Sequence, residues 1–347
     1  MARRRMPRII GGMFPLPDML KFGHSPPPFL AGRTLTLVNG QSSIRVLIES
    51  LKPPNVWLPS YLCDSVLEAA RRDGTRVRFY ALDYDLAISS PEWLDEVRRG
   101  DLVVFIDFFG FPCNASDIDR ARAHGAWVLE DACQALLTGG VTRKADFVVF
   151  SPRKFLGVPD GGILKVNCEV EFGGVGHGDT PVDWWLRAVE ASLLRREFDI
   201  YGGNRRWFEL FQASEEEAPL GDYAMSDFSR TLLMHCFDYA QISTRRRTNY
   251  AALSEALPRF AMFRNLPADV VPLGFPMRTE KRDRLQQGLF AHEIYPAVHW
   301  PVEGIIPLEF SASHRLAADI LTLPCDQRYD VDDMGRIAEL VQEISAS

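Results

Sequence analysis

The chain has 347 residues, 46% of them hydrophobic and 24% charged, an ordinary globular composition with room for two domains or one large core with an appendage. A net charge of −7 argues against nonspecific nucleic-acid binding, which needs clustered Lys and Arg, and no stretch is long and apolar enough to span a membrane. The basic run Arg3 to Arg5 could begin a targeting peptide, but no apolar stretch of signal length follows and Pro15 and Pro17 interrupt it, so a cytoplasmic protein is expected. The six cysteines form no C-x-x-C pair and the seven histidines are dispersed. A reduced protein without bound metal is therefore expected, although an even cysteine count leaves disulfides formally open.

Residues 1–31 are rich in Gly and Pro and read as an arm over the body or a partner subunit, or as a partly disordered tail. From Thr34 a β-branched run leads into an Asn-Gly turn and then apolar residues at Ile44, Leu47, Ile48 and Leu51, which predicts strand, turn and helix. Small and hydroxyl residues from Asn39 to Ser43 have two readings: an anion site at a helix N-terminus, or simple capping by Ser42 or Ser43. Strands and helices then alternate. NVWLP, RVRFYAL, DLVVFIDFFG and AWVLEDA read as strands. SVLEAARRDG, SPEWLDEVRRG capped by Ser90, and SDIDRARAHG capped by Ser116 read as helices. Repeated βα units imply a mostly parallel sheet, whose ligands collect at the carboxyl ends of strands, where Asp107, Phe109, Asp131 and Lys154 all fall.

Between Val170 and Glu217 the alternation breaks. The glycines of FGGVGHGDTPVDWW do not form a dinucleotide fingerprint, and the segment reads as a substrate lid, with Trp184, Trp185 and Trp207 alternatively core or interface aromatics. A long helix is predicted from Met225, with Leu232, Leu233, Cys236, Phe237 and Ala240 on one side and Arg245 to Arg247 on a solvated or salt-bridged face. The C-terminal part predicts a smaller α/β domain. The expected division is an arm at 1–31, a large domain at 32–245 and a small domain at 246–347.

The stretch from Ala145 to Gly162 concentrates the chemistry. Phe147 to Phe150 predict a strand buried on both faces, Pro152 stops it, and Lys154 emerges at its end. Asp131 lies at the end of the preceding strand, and an acid and a lysine on neighbouring strand ends are the minimum kit for pyridoxal phosphate. That cofactor needs a Schiff-base lysine, a carboxylate on its ring nitrogen, an anion cradle and a flat neighbour. Lys154 and Asp131 fill the first two positions. Gly40, Gln41, Ser42, Ser43 and Ser151 are candidates for the phosphate, Gln134 for the ring's phenolic oxygen, and Tyr61 for the ring face. The Lys154 amine, ordinarily near ~10.4, is expected to be lowered by burial beside a cationic ring.

NGQSS, LPSY, FGFPCNASDI, EDACQA and SPRKFLGVPDGG occur in the order found in the DegT/StrS family of pyridoxal-phosphate sugar aminotransferases, which the chain resembles from about Thr34 onward. The resemblance implies an α/β, fold type I, aspartate aminotransferase-like protein, with a mostly parallel sheet in its large domain and a smaller C-terminal α/β domain. It implies amino transfer from glutamate to a keto group of a nucleotide-linked sugar, and a homodimer with shared sites. Lys154, Asp131 and Gln134 match the family's cofactor residues. His299 and Trp300 resemble its substrate segment, a packed core pair being the alternative, and His177 is a further substrate candidate. The chain departs from the pattern in a short S-x-x-K spacing at Ser151, in Gln41 for a threonine, and in Cys63 where a ring-stacking aromatic is frequent. GDYAMSD lacks the asparagine that reaches the partner's phosphate, leaving Asp222 or Tyr223 to substitute. Two other readings stand beside amino transfer: a different pyridoxal-phosphate reaction on the same fold, and a catalytically silent binding protein. Family dehydratases replace the lysine with histidine, so Lys154 argues against that branch.

Overall fold

Apolar runs four or five residues long build the centre of the molecule. The computed structural model describes residues 9–17, 27–71, 74–141, 144–175 and 178–346. In chain order the elements are β1 (Ile10–Gly11), β2 (Thr34–Leu37), α1 (Gly40–Leu51), β3 (Asn55–Pro59), α2 (Asp64–Ala70), β4 (Arg76–Tyr80), β5 (Leu102–Ile106), α3 (Ala115–Ala123), β6 (Trp127–Asp131), β7 (Phe147–Phe150) and β8 (Gly162–Val166). They continue with α4 (Val182–Tyr201), α5 (Arg206–Glu216), α6 (Asp227–His235), α7 (Tyr239–Ala256), β9 (Phe275–Arg278), α8 (Arg282–Ala291), β10 (Ile294–Tyr295), α9 (Ser311–Asp319), β11 (Ile320–Leu323) and α10 (Val331–Ala346).

A seven-stranded sheet has the order β2-β8-β7-β6-β5-β3-β4. Strands β3 to β7 run parallel, and β8 is antiparallel to both neighbours. The LVVFI of β5 and the FVVF of β7 are buried throughout, as strands covered on both faces must be. Register sets the site: Asp131 at the end of β6 lies opposite Ile106 on one side and Val149 on the other. The segments after β5, β6 and β7 therefore leave the sheet side by side.

A second core gathers Tyr250, Phe275, Met277, Leu289, Leu321 and Val341 around the antiparallel pair β9–β11. Ile10 of β1 belongs to this core and pairs in parallel with β10, so this part of the N-terminal segment is a strand. Residue 245 falls inside α7, whose Ile242 packs with the sheet core and whose Tyr250 and Leu253 pack in the second.

Several sequence expectations are corrected. The long helix from Met225 is two helices, because the chain turns at Cys236 and Asp238 caps α7 by accepting from Gln241 N at 2.9 Å. SPEWLDEVRRG forms only a short 3-10 turn, Glu92–Glu96. Asn39 and Asn114, and not Ser42, Ser43 or Ser116, cap α1 and α3. Arg246, expected on a solvated face, is fully buried. It donates to Gln327 Oε1 and to the carbonyls of Pro272, Leu273 and Phe155, so it binds three separate stretches of chain.

Candidate active site

After β7 the chain passes through Ser151 into a single 3-10 turn, Pro152–Lys154. The loop that follows is pinned on both sides of its bend. Phe155 O accepts from Gln327 Nε2 at 2.6 Å and from Arg246 Nη2 at 3.4 Å. Farther on, buried Asp160 accepts from Ser226 N and Ser226 Oγ, each at 2.6 Å, and from Ser229 Oγ. Gly162, which opens β8, abuts the start of α1 so closely that a Cβ there would lie 2.0 Å from Asn39 O. The lysine loop and the α1 N-terminus are thus held against each other.

Between them lies a cavity of about 620 Å³, whose walls include Gly40, Gln41, Asp131, Cys133, Ser151 and Lys154. Lys154 is exposed to this space, while Asp131 is buried in its wall and accepts from Cys133 N at 3.0 Å. At the head of α1, Asn39 Oδ1 takes the Ser42 N–H at 2.7 Å and Asn39 O takes the Ser43 N–H at 3.2 Å. The Gly40 and Gln41 N–H groups have no acceptor among the described residues. Gly40 leaves room beside Ser151: a Cβ on it would come within 3.1 Å of Cys133 Sγ and 3.4 Å of Ser151 Cβ.

Burial alone would lower the Lys154 amine. Nearby acids, Asp131 and Glu215 among them, oppose burial, and the amine is left raised above its ordinary value. The expected lowering is therefore absent from the protein by itself. A positive ring placed between Lys154 and Asp131 would have to supply it. Burial, followed by the charge of Asp131, pushes the Cys133 thiol well up, so it stays protonated. Burial and the nearby Glu130 likewise raise the Asp107 carboxyl above its ordinary value. Asp107, Cys113 and Glu130 offer ligand atoms within 4.8 Å of one another, a potential metal-holding group that the spacing of the sequence did not reveal.

Three expected residues stand behind the cavity wall. Gln134 Oε1 accepts from Phe109 N at 2.6 Å, and its buried Nε2 makes no hydrogen bond. Ser42 spends its hydroxyl on the segment after α5, donating to Pro219 O and accepting from Gly221 N. Tyr61 is fully buried, with its ring 5.6 Å from that of Trp300, and does not reach the wall, whereas Cys63 does. Gln41 reaches the wall but its side chain is held by Glu68.

His299 and Trp300 both line the cavity. His299 Nδ1 lies 2.9 Å from Thr322 Oγ1, and burial, reinforced by the charge of Lys154, lowers its pKa to about 3, so it is neutral. His177 lies outside the described residues. Asp222 and Tyr223 sit at the edge of β2, where Val38 N donates to Tyr223 O at 2.9 Å. The roof comes from α4 and α5, through Ala188, Ser192, Phe211 and Glu215. Trp184, buried, ties these helices together by donating to Ser214 O at 2.8 Å. Sequence reasoning missed Arg153, Cys133 and Glu215, all of which line the cavity. Arg153 was legible as the neighbour of Lys154; Glu215, 61 positions beyond Lys154 on another element, carried no signal.

No protein-family model matches the sequence, and no curated protein matches it. Solved structures do match its fold. The aminotransferase TlmJ from Streptoalloteichus hindustanus is similar over 97% of this chain and 99% of its own, at 17% identity and a TM-score of 0.69. A DegT DnrJ EryC1 StrS aminotransferase from Brucella abortus is similar over 91% and 87%, at 17% identity and 0.65. NtdA from Bacillus subtilis, solved with bound PMP, is similar over 94% and 79%, at 14% identity and 0.65. The sheet order, the single antiparallel strand β8 and these likenesses together show that the chain has the fold type I architecture of those aminotransferases.

Proposed function

We propose that this chain is a pyridoxal-phosphate aminotransferase, a divergent relative of the DegT/StrS enzymes, that moves the amino group of glutamate to a keto group on a nucleotide-linked sugar. The observation that carries this reading is Lys154, open to the cavity beside Asp131 on the neighbouring strand end. The similar structures are aminotransferases, one of them holding PMP, which supports the same cofactor here.

The residues present fit the group. Gln134 Nε2 is a buried donor in want of an acceptor, but it stands behind the cavity wall and adds nothing to the fit. The Gly40 and Gln41 N–H groups, the α1 dipole and Ser151 form an anion cradle. Asp131 would stand on the ring nitrogen. When bound, pyridoxal phosphate supplies a sink for the electrons of the bond to the departing proton. Lys154 would anchor the group and then carry that proton as base and acid. His299, neutral, adds no positive charge that would compete for Asp131. Trp300 and the α4–α5 roof would keep water from the reacting face.

The apolar side chains of Val182, Leu186, Leu193 and Ile200 stand exposed along one side of α4, which supports a homodimer. Among the described residues no helix is long and apolar enough to cross a membrane. The test is a half-reaction. Cofactor-loaded protein given glutamate alone should release one equivalent of 2-oxoglutarate, and should then aminate a keto-sugar nucleotide. Stable cofactor binding with no oxoacid released would instead favour a different reaction on this fold.

A further inference from the structure

Three cationic side chains line the cavity: Lys154, Arg328 and Arg153. Lys154 is taken by the chemistry proposed above. Arg328 is locked in place, donating to Asp326 Oδ1 and Oδ2 at 2.8 and 2.9 Å and to the carbonyls of Met13 and Gly12. Arg153 differs. Its partner is a single carboxylate, Glu215, carried on the roof helix α5. Both sides of that pair retain access to solvent, 19% for the Arg153 side chain and 46% for Glu215. Glu217, just past the end of α5, is paired with Arg187 at 2.7 Å.

A half-exposed ion pair is weak, so an incoming anion can break it at small cost. A guanidinium one residue from the anchoring lysine can hold a carboxylate by two parallel hydrogen bonds while the substrate's amine faces Lys154. Glu215 lines the same cavity as Lys154 and already sets a carboxylate on Arg153, the contact that an incoming carboxylate would take over.

We propose that Arg153 is the carboxylate anchor for the amino donor and that Glu215 is a built-in competitor, occupying Arg153 until a dicarboxylic substrate displaces it. This inference rests on the aminotransferase reading for the identity of the donor. Its physical content, a displaceable carboxylate site at Arg153, can be measured without turnover. Arg153 is thus a specificity-determining residue, and Glu215 tunes donor affinity through it.

Calorimetric titration with glutarate, which has both carboxylates and no amine, tests this on cofactor-loaded and on cofactor-free protein. Arg153→Gln should weaken glutarate binding by about 10–100-fold. Arg153→Lys should fall between, since it keeps the charge and loses the fork. Glu215→Gln should tighten binding by about 2–5-fold, the opposite sign from any loss of structure. In turnover the same variants should move kcat/KM for glutamate in these directions. Glutarate binding unaltered by Arg153→Gln, or weakened by Glu215→Gln, would overturn the inference. If the protein takes up no pyridoxal phosphate, the enzyme reading fails, and the cofactor-free titration still decides the role of Arg153.

Discussion

Arg246 and Phe155 are joined twice: the guanidinium donates to the Phe155 carbonyl at 3.4 Å and lies 4.3 Å from the centre of its ring. Phe155 directly follows Lys154, so a buried arginine on α7 fixes the geometry of the loop that carries the lysine. Removing Arg246 strands the carbonyls of Pro272 and Leu273, while the Phe155 carbonyl keeps Gln327 alone. Arg246→Ala should therefore lower unfolding free energy by on the order of 3 kcal/mol, read by denaturant titration. Cofactor retention should fall with it.

Two glycines at the same junction should respond differently. Gly162→Ala places a methyl 2.0 Å from the Asn39 carbonyl, and backbone must move to admit it. Several kcal/mol of stability should be lost. Gly40→Ala meets Cys133 Sγ at 3.1 Å and Ser151 Cβ at 3.4 Å, contacts that a small shift can relieve. That variant should fold, yet bind pyridoxal phosphate about 10-fold more weakly because the methyl intrudes on the anion cradle. Fluorescence titration with the cofactor, beside a melting curve, separates the two outcomes.

Much of this arrangement was readable from the chain. The apolar run of β7 and the strand ending in Asp131 are local patterns, and strand order alone puts their ends together. What could not be read depends on distant contacts. Arg246 sits in a run of three arginines that signals a wet helix face, and acceptors on residues 155, 272, 273 and 327 make its burial tolerable. The break between α6 and α7 was hidden because apolar residues continue at helical spacing across Cys236 and Phe237, although Asp238 has the form of a cap. Tyr61 follows a strand as a stacking residue should, but folds behind Trp300.

Acid should act on His299 and Asp107 with opposite signs. His299 is depressed to about 3 in the folded protein, so between that value and its ordinary pKa the unfolded chain binds the extra proton. Stability from this group is present above about pH 6.5 and is lost as pH falls toward 3. Asp107 is raised, so its contribution is present at low pH and is lost as pH rises through the folded value. His299→Gln should flatten the acid limb of a stability profile, and Asp107→Asn should raise stability at neutral pH. Lys154→Ala should shift the His299 titration upward, because the Lys154 charge is part of what holds it down.

The exposed side of α4 gives a prediction about assembly. Leu186 is 52% exposed and Leu193 49%, seven residues apart on one face, with Val182 and Ile200 continuing the line. Wild-type protein should sediment as a dimer, and the double variant Leu186→Glu, Leu193→Glu should shift toward monomer without loss of helix content. A wild-type monomer at working concentration would count against the shared-site part of the proposal.

Lys154 is the proposed anchor of the cofactor. Protein loaded with pyridoxal phosphate should be reduced with borohydride, digested and mapped by mass spectrometry. The reduced cofactor should be found on the peptide containing Lys154, and none on that peptide if glutamate is added before reduction. Label on a different lysine, or no label on protein that has demonstrably bound the cofactor, would contradict it.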